Sequence, residues 1–165
     1  MRIIAIDPGY GRTGIAVMER GPERQRVLYS ACFTTPTKFP LHQRIGLIGE
    51  ELERIMAKYS PQILAIETLF FNTNQKTALS VAEARGAVIA HAVRRGLSIC
   101  EYTPLQVKSA ITGYGRGTKK QVIAMVKRLS DMREDGRTDD EYDAIAVGIT
   151  CLVSQKQNIV YKKTQ

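Results

Sequence analysis

The residues best placed to do chemistry in this chain are four acids: Asp7, Glu67, Asp140 and Asp143. Asp7 follows Ile3, Ile4, Ala5 and Ile6, and Glu67 follows Ile63, Leu64, Ala65 and Ile66, so each closes a short apolar run that reads as a buried strand. If those strands are parallel neighbours, both carboxylates emerge at the same sheet edge. Asp140 and Asp143 are three apart at the head of a segment carrying Ile145, Val147 and Ile149. That spacing puts both on one face of a helix, which can aim two more carboxylates at the first pair. Four ionised carboxylates at one point repel each other unless protons or a cation neutralise them. Oxygen donors without Cys or His favour Mg2+ or Mn2+. Two such ions, roughly 3.5 to 4 Å apart, suit phosphoryl transfer, activating a water and stabilising the leaving oxygen.

Each acid also has a plainer reading. Asp7 before Pro8-Gly9 suits an Asx turn, and Glu67 after its strand can simply face solvent. Asp140, with Asp139 and Glu141, fits a first helical turn that favours negative charge. The conjunction of the four carries the chemistry, and no single member does.

The rest of the composition narrows the choice. The chain has 165 residues, with 24 Lys and Arg against 16 Asp and Glu, a formal net charge of +8. A 44% apolar content is too high for intrinsic disorder, and the length suits one domain. We expect that domain over 1–156, with 157–165 as a flexible C-terminal tail. No apolar stretch approaches a membrane span and the first twenty residues lack a signal-peptide core, so a cytoplasmic location without a membrane partner is expected. Cys32, Cys100 and Cys151 form no C-x-x-C pair and read as reduced, mostly buried thiols. With only His42 and His91 present, catalysis must rest on carboxylates and lysines.

The elements that must position the acids follow from periodicity. Strands are expected at Ile3 to Asp7, Ile15 to Met18 and Val27 to Phe33, forming an antiparallel meander through the turn marked by Gly9, Gly11 and Gly14. Apolar spacings of three and four predict a helix from Leu41 to Tyr59, ended by Ser60-Pro61. The strand at 63–67, reached through that helical crossover, should lie parallel to the first. A helix from about Thr77 to Arg94 carries small residues every four positions, Ala78, Ala82, Gly86 and Ala90, a stripe for close packing in the core or against a second subunit. A strand at Ser98 to Tyr102 and helices at Pro104 to Ile111, Lys119 to Met132 and Asp139 to Ser154 complete an α/β fold: one mixed sheet flanked by helices.

Lys108, Arg116, Lys119, Lys120, Lys127 and Arg128 give six basic residues and no acidic one between 108 and 128. Such a segment attracts a nucleic-acid backbone, or is simply a solvated helix. Gly113, Gly115 and Gly117 let the loop before Lys119 bring N–H groups and Arg116 to phosphates, or make it merely flexible. Phe70 and Phe71, taken alone, read as core or interface.

The chain resembles the RuvC family of Holliday-junction resolvases in the RNase H-like superfamily. The pieces that carry the resemblance are I-A-I-D-P-G at 3–8, A-I-E-T-L-F at 65–70, the Gly-rich loop ahead of Lys119 and D-E-Y-D-A at 140–144, in the family's order and over nearly the whole chain. The resemblance implies an RNase H-like mixed five-stranded sheet, three strands antiparallel and the others parallel. It implies that Asp7, Glu67, Asp140 and Asp143 are the metal-binding catalytic tetrad of an endonuclease for four-way DNA junctions. Such enzymes act as homodimers that nick two opposed strands symmetrically, leaving 5′-phosphate and 3′-hydroxyl ends, in recombination and repair. Mg2+, with Mn2+ as a substitute and two ions per site, is the implied cofactor, and the RuvA and RuvB branch-migration proteins are implied partners. Lys108 and Lys119 become candidates for phosphate binding and charge stabilisation, with Lys120 competing for the second role. Phe70 takes the position of an aromatic that stacks on junction bases.

Other readings remain at this level. A junction-binding architectural protein would show the same basic surface, but has no use for four acids that repel phosphates. A nuclease of the same fold for other branched DNA or RNA shares the chemistry. Gly9, Gly11 and Gly14 match G-x-G-x-x-G, yet a strand follows them where a dinucleotide site requires a helix. The actin-like ATPases open similarly but need two such domains around the nucleotide.

Overall fold

Period-two alternation decides which side of the sheet each strand residue faces, and so where the acids point. The computed structural model describes residues 1–69, 75–132 and 136–162, with side chains described in 1–69, 77–132 and 136–155. Strands β1 (Arg2–Asp7), β2 (Arg12–Glu19) and β3 (Arg26–Thr34) form the expected antiparallel meander. Helix α1 (Leu41–Tyr59) crosses to β4 (Ile63–Glu67), which pairs in parallel with β1. Helix α2 (Gln75–Arg94) leads to β5 (Ser98–Tyr102), parallel to β4. The chain then forms α3 (Pro104–Thr112), α4 (Lys119–Leu129) and α5 (Asp139–Lys162). The sheet order is β3-β2-β1-β4-β5.

Two cores lie on the two faces of this sheet. Ile4, Ile6, Ile15, Val17, Leu64 and Ile66 pack with α1 and α2 residues such as Leu52, Ile55 and Val88. Ile3, Ala5, Ala16, Met18, Ile63 and Ala65 pack on the other side with Val107, Val126, Ile145 and Ile149 of α3, α4 and α5. Asp7 continues the parity of Ile3 and Ala5, and Glu67 that of Ile63 and Ala65. Both acids therefore belong to the face covered by α5. The small Ala5 and Ala65 on that face let the helix lie close, and a β-carbon added at Gly148 of α5 would come 3.2 Å from that of Ala5.

Several expectations need adjustment. Helix α4 stops at Leu129 rather than Met132, because Ser130 turns extended and pairs with Gln25. Helix α5 runs past Ser154 to Lys162, since no Gly or Pro interrupts the sequence after Gly148. The backbone of 157–162, expected as tail, is thus helical, and 163–165 lie outside the described residues. Among the thiols only Cys151 is buried, Cys32 and Cys100 being half-buried. Strand β2 directly follows the glycine turn, which removes the dinucleotide reading. No helix among the described residues is long and apolar enough to cross a membrane.

Candidate active site

Ile6 lies opposite Ile66 in the parallel ladder, so the next residues, Asp7 and Glu67, leave neighbouring strands side by side. Both line one cavity of about 300 Å3 together with Asp143 of α5 and Lys108 and Lys119 of α3 and α4. Its apolar walls are Pro104, Val107, Val122 and Ala146. Burial, with the charges of Glu67, Asp143 and Asp140, pushes the Asp7 carboxyl up to about 8, Lys119 opposing. Burial and Asp143 push Glu67 up to about 7 against Lys108 and Lys119. Neither acid is salt-bridged among the described residues, so both meet low dielectric and like charge with little relief.

The α5 acids are held differently. Lys119 Nζ donates to Asp143 Oδ2 at 2.6 Å and lies 3.7 Å from Asp139 Oδ2. Burial disfavours its ammonium, but the Asp143 hydrogen bond and the charges of Asp143, Asp139 and Asp7 outweigh it, and the net shift is upward. Asp140 stands outside the cavity lining and pairs with the Arg12 guanidinium, while the Cys32 thiol donates to its Oδ2 at 3.5 Å. Asp140 remains near enough to raise Asp7 through its charge. Gly14 makes this approach possible. It lies opposite Asp7 in the hairpin, and a β-carbon there would collide with the Asp140 carbonyl and come 3.2 Å from the Asp7 β-carbon.

Helix starts fix the lysine wall. Thr118 caps α4 by accepting from the Gln121 N–H, while the Gln121 side chain accepts from the Thr118 N–H at 2.8 Å, and Thr103 and Gln106 do the same for α3. Lys119 is consequently the first residue of α4, where a cation opposes the helix dipole and is offset by Asp143 and Asp139. The structure separates the two competing lysines, both exposed: Lys119 lines the cavity, whereas Lys120 is absent from its lining. Arg116 is exposed outside the lining as well. Gly115 and Gly117 of that loop lie against Leu105 and Thr112, so their small size serves packing. Phe70 falls outside the described residues. Arg12, which sequence reasoning missed, is the unforeseen member; the available signal was a cation in the turn that follows Asp7.

Among the described residues, no three His, Cys, Asp or Glu side chains already converge tightly enough to hold an ion. Asp143 leans to Lys119, and Asp140 to Arg12. The donor set nevertheless fits a hard divalent cation, because all its ligands are oxygens and its two half-buried carboxyls carry repulsion, only partly opposed by the lysines, that such an ion removes.

A sequence model described as crossover junction endodeoxyribonuclease RuvC matches residues 3–151. The chain is 44% identical over 147 residues to the crossover junction endodeoxyribonuclease RuvC of Thermosipho melanesiensis, covering 89% of this chain and 94% of that protein. With the same enzyme from Caldicellulosiruptor saccharolyticus it shares 40% over 167 residues, covering 100% and 99%. The solved structure of T. thermophilus RuvC in complex with Holliday junction substrate matches with a TM-score of 0.87 at 29% identity, covering 95% of this chain and 96% of that one. The yeast mitochondrial Holliday junction resolvase, at 14% identity and a TM-score of 0.66, shares the fold. With its Asp7–Glu67 cavity carried on the same RNase H-like sheet, this chain belongs to the RuvC family of crossover junction endodeoxyribonucleases.

Proposed function

We propose that this chain resolves four-way DNA junctions by symmetric paired nicks that leave 5′-phosphate and 3′-hydroxyl ends. The observation that carries the reading is the pairing of Asp7 and Glu67 on adjacent parallel strands, in one cavity with Asp143, Lys108 and Lys119. Asp7, Glu67, Asp140 and Asp143 would hold Mg2+, with Mn2+ able to substitute and two ions per site. When bound, the ions supply Lewis acidity that generates the nucleophile from water and offsets charge on the leaving oxygen. Lys119, within hydrogen-bond reach of Asp143, is placed to meet negative charge building on the phosphoryl oxygens. Lys108, lining the same cavity, binds the backbone, with Arg116 and Lys120 supplying attraction further out. Phe70 is assigned to stack on bases at the crossing.

Two opposed nicks require two cavities, and hence a homodimer. Helix α2 supports this: Ala84, Val88 and Ala92 face the core, while Gly86 and Ala90 are exposed and Ala78 and Ala82 half-exposed. Leu79 and Val93, 73% and 57% exposed, fall in the same three-and-four spacing and extend the small-residue stripe into a contact face. The functional unit is a single nuclease domain over 1–156, working in the cytoplasm with RuvA and RuvB. The test is cleavage of a four-way junction, a fork and a plain duplex, each with and without Mg2+. Paired nicks confined to the junction with Mg2+ are expected. Equal cutting of forks or strong activity in a chelator contradicts the reading, and binding without cutting returns the architectural alternative.

A further inference from the structure

Beside the catalytic cavity lies a second one of about 360 Å3 that contains no acidic residue. Gly9, Tyr10, Gly11, Arg12, Thr37 and Arg44 form much of its lining. Arg44 is built into place. Its Nε donates to Thr35 Oγ1 at 2.8 Å, that hydroxyl donates to the Tyr10 carbonyl at 2.6 Å, and Thr35 is 1% exposed. The guanidinium lies over the Tyr10 ring, 4.7 Å from its centroid. A β-carbon at Gly11 would come 2.9 Å from Nη2, so glycine there is what lets the fork approach the turn. Arg44 has no carboxylate partner among the described residues, and its terminal nitrogens keep their donors. An arginine held rigid by three contacts, unpaired, in a cavity without acids is a fork prepared for an anion.

The location identifies the anion. A shallow cavity lined by Asp7, Pro8, Glu67, Thr68, Leu69 and Pro104 borders the catalytic one, and the Arg44 cavity begins two residues beyond Asp7, at Gly9. Two residues span at most about 7 Å of backbone, so the lining of this cavity starts close to the Asp7 backbone. We infer that Arg44, with Arg12, binds a backbone phosphate of the strand being cut, flanking the scissile phosphate. This cavity shares no lining residue with the one that holds Lys108 and Lys119, so the strand gains a contact separate from those lysines. Arg12, whose side chain is 57% exposed, lines this cavity and pairs with Asp140, which ties the cavity to the start of α5. The inference rests on the junction-cleaving reading and adds to it a site that fixes the register of the strand.

The experiment measures binding of the full chain to a four-way junction in Ca2+, for the wild type, Arg44→Gln and Arg12→Gln. Each is titrated against junctions with a single uncharged methylphosphonate at successive positions flanking the cut. Arg44→Gln is expected to weaken binding about tenfold and to lower the salt slope by about one unit. One methylphosphonate position should weaken the wild type similarly and Arg44→Gln no further. A lost side-chain packing role would not produce that position-specific loss of sensitivity. Wild-type affinity and slope in Arg44→Gln, or additive losses at every position, overturn the inference. If Arg44→Gln fails to fold, Arg12→Gln decides by the same criterion at the same position. A wild type that does not prefer the junction to duplex overturns the underlying reading instead, so the two failures are distinguishable.

Discussion

The two pairs of acids around the cavity are positioned by different kinds of element, and their electrostatics differ accordingly. Asp7 and Glu67 end adjacent strands whose ladder is buried on both faces, so neither backbone can retreat from the other's charge. Their affinity for protons rises instead. Asp140 and Asp143 start a helix, and each is met by a cation, Arg12 and Lys119 respectively. The sheet pair holds a destabilising arrangement that a divalent ion relieves, whereas the helix pair is already neutralised and must exchange its partner to join the site. A fold accepts such local cost where function needs it.

The largest effect that tests this contrast is loss of a sheet acid. Asp7→Asn or Glu67→Gln should lower junction cleavage about a thousandfold or more while leaving binding nearly intact. The same changes should stabilise the metal-free protein by about 1–3 kcal/mol in denaturant titration, because they remove buried repulsion. Asp140→Asn and Asp143→Asn should also stop cleavage but give no such stabilisation, since each removes the partner of a cation. Equal stabilisation by all four variants breaks the comparison. Lys119→Ala comes next: cleavage should slow by about ten- to a hundredfold with a smaller loss of binding, and Lys120→Ala should do much less. The reverse order would make Lys119 a backbone anchor only.

Gly14→Ala sharpens the account of how the two pairs meet. The added methyl collides with the Asp140 carbonyl, so destabilisation of about 1–3 kcal/mol with weakened Mn2+ binding is expected. Unchanged metal affinity would mean that the start of α5 need not approach Asp7. The smallest effect is a pH profile. The folded values of Asp7 and Glu67, about 8 and about 7, lie above those of the unfolded chain, so the folded state binds the extra protons. Their contribution to stability is full below about pH 4 and is lost as pH rises through 7 to 8. Metal-free wild type should therefore lose stability over that range relative to the Asp7→Asn, Glu67→Gln double variant. Parallel profiles would contradict the assignment.

Much of this was legible because periodicity and chemistry coincide. The runs before Asp7 and Glu67 gave both strands, and the crossover through α1 gave their parallel pairing. What sequence could not supply was the direction in which each helix-borne side chain resolves its charge. Asp140 and Asp143 share a face, yet one turns to Arg12 and the other into the cavity, because the glycine turn and the α4 start deliver cations on opposite sides. Lys119 and Lys120 are indistinguishable by charge. The T-x-x-Q box at Thr118 and Gln121 separates them by fixing where α4 begins. Arg12 and Arg44 escaped notice because neither belongs to a basic run; their neighbourhood arises only when the first turn folds against α1.

The most direct test of the central claim is anomalous diffraction from crystals of this protein soaked in Mn2+. The account predicts an ion peak with Asp7 and Glu67 carboxylate oxygens among its ligands, and Asp143 withdrawn from Lys119 to complete the shell. Mn2+ bound elsewhere on the protein, with Asp7 and Glu67 contacting no ion, would contradict it.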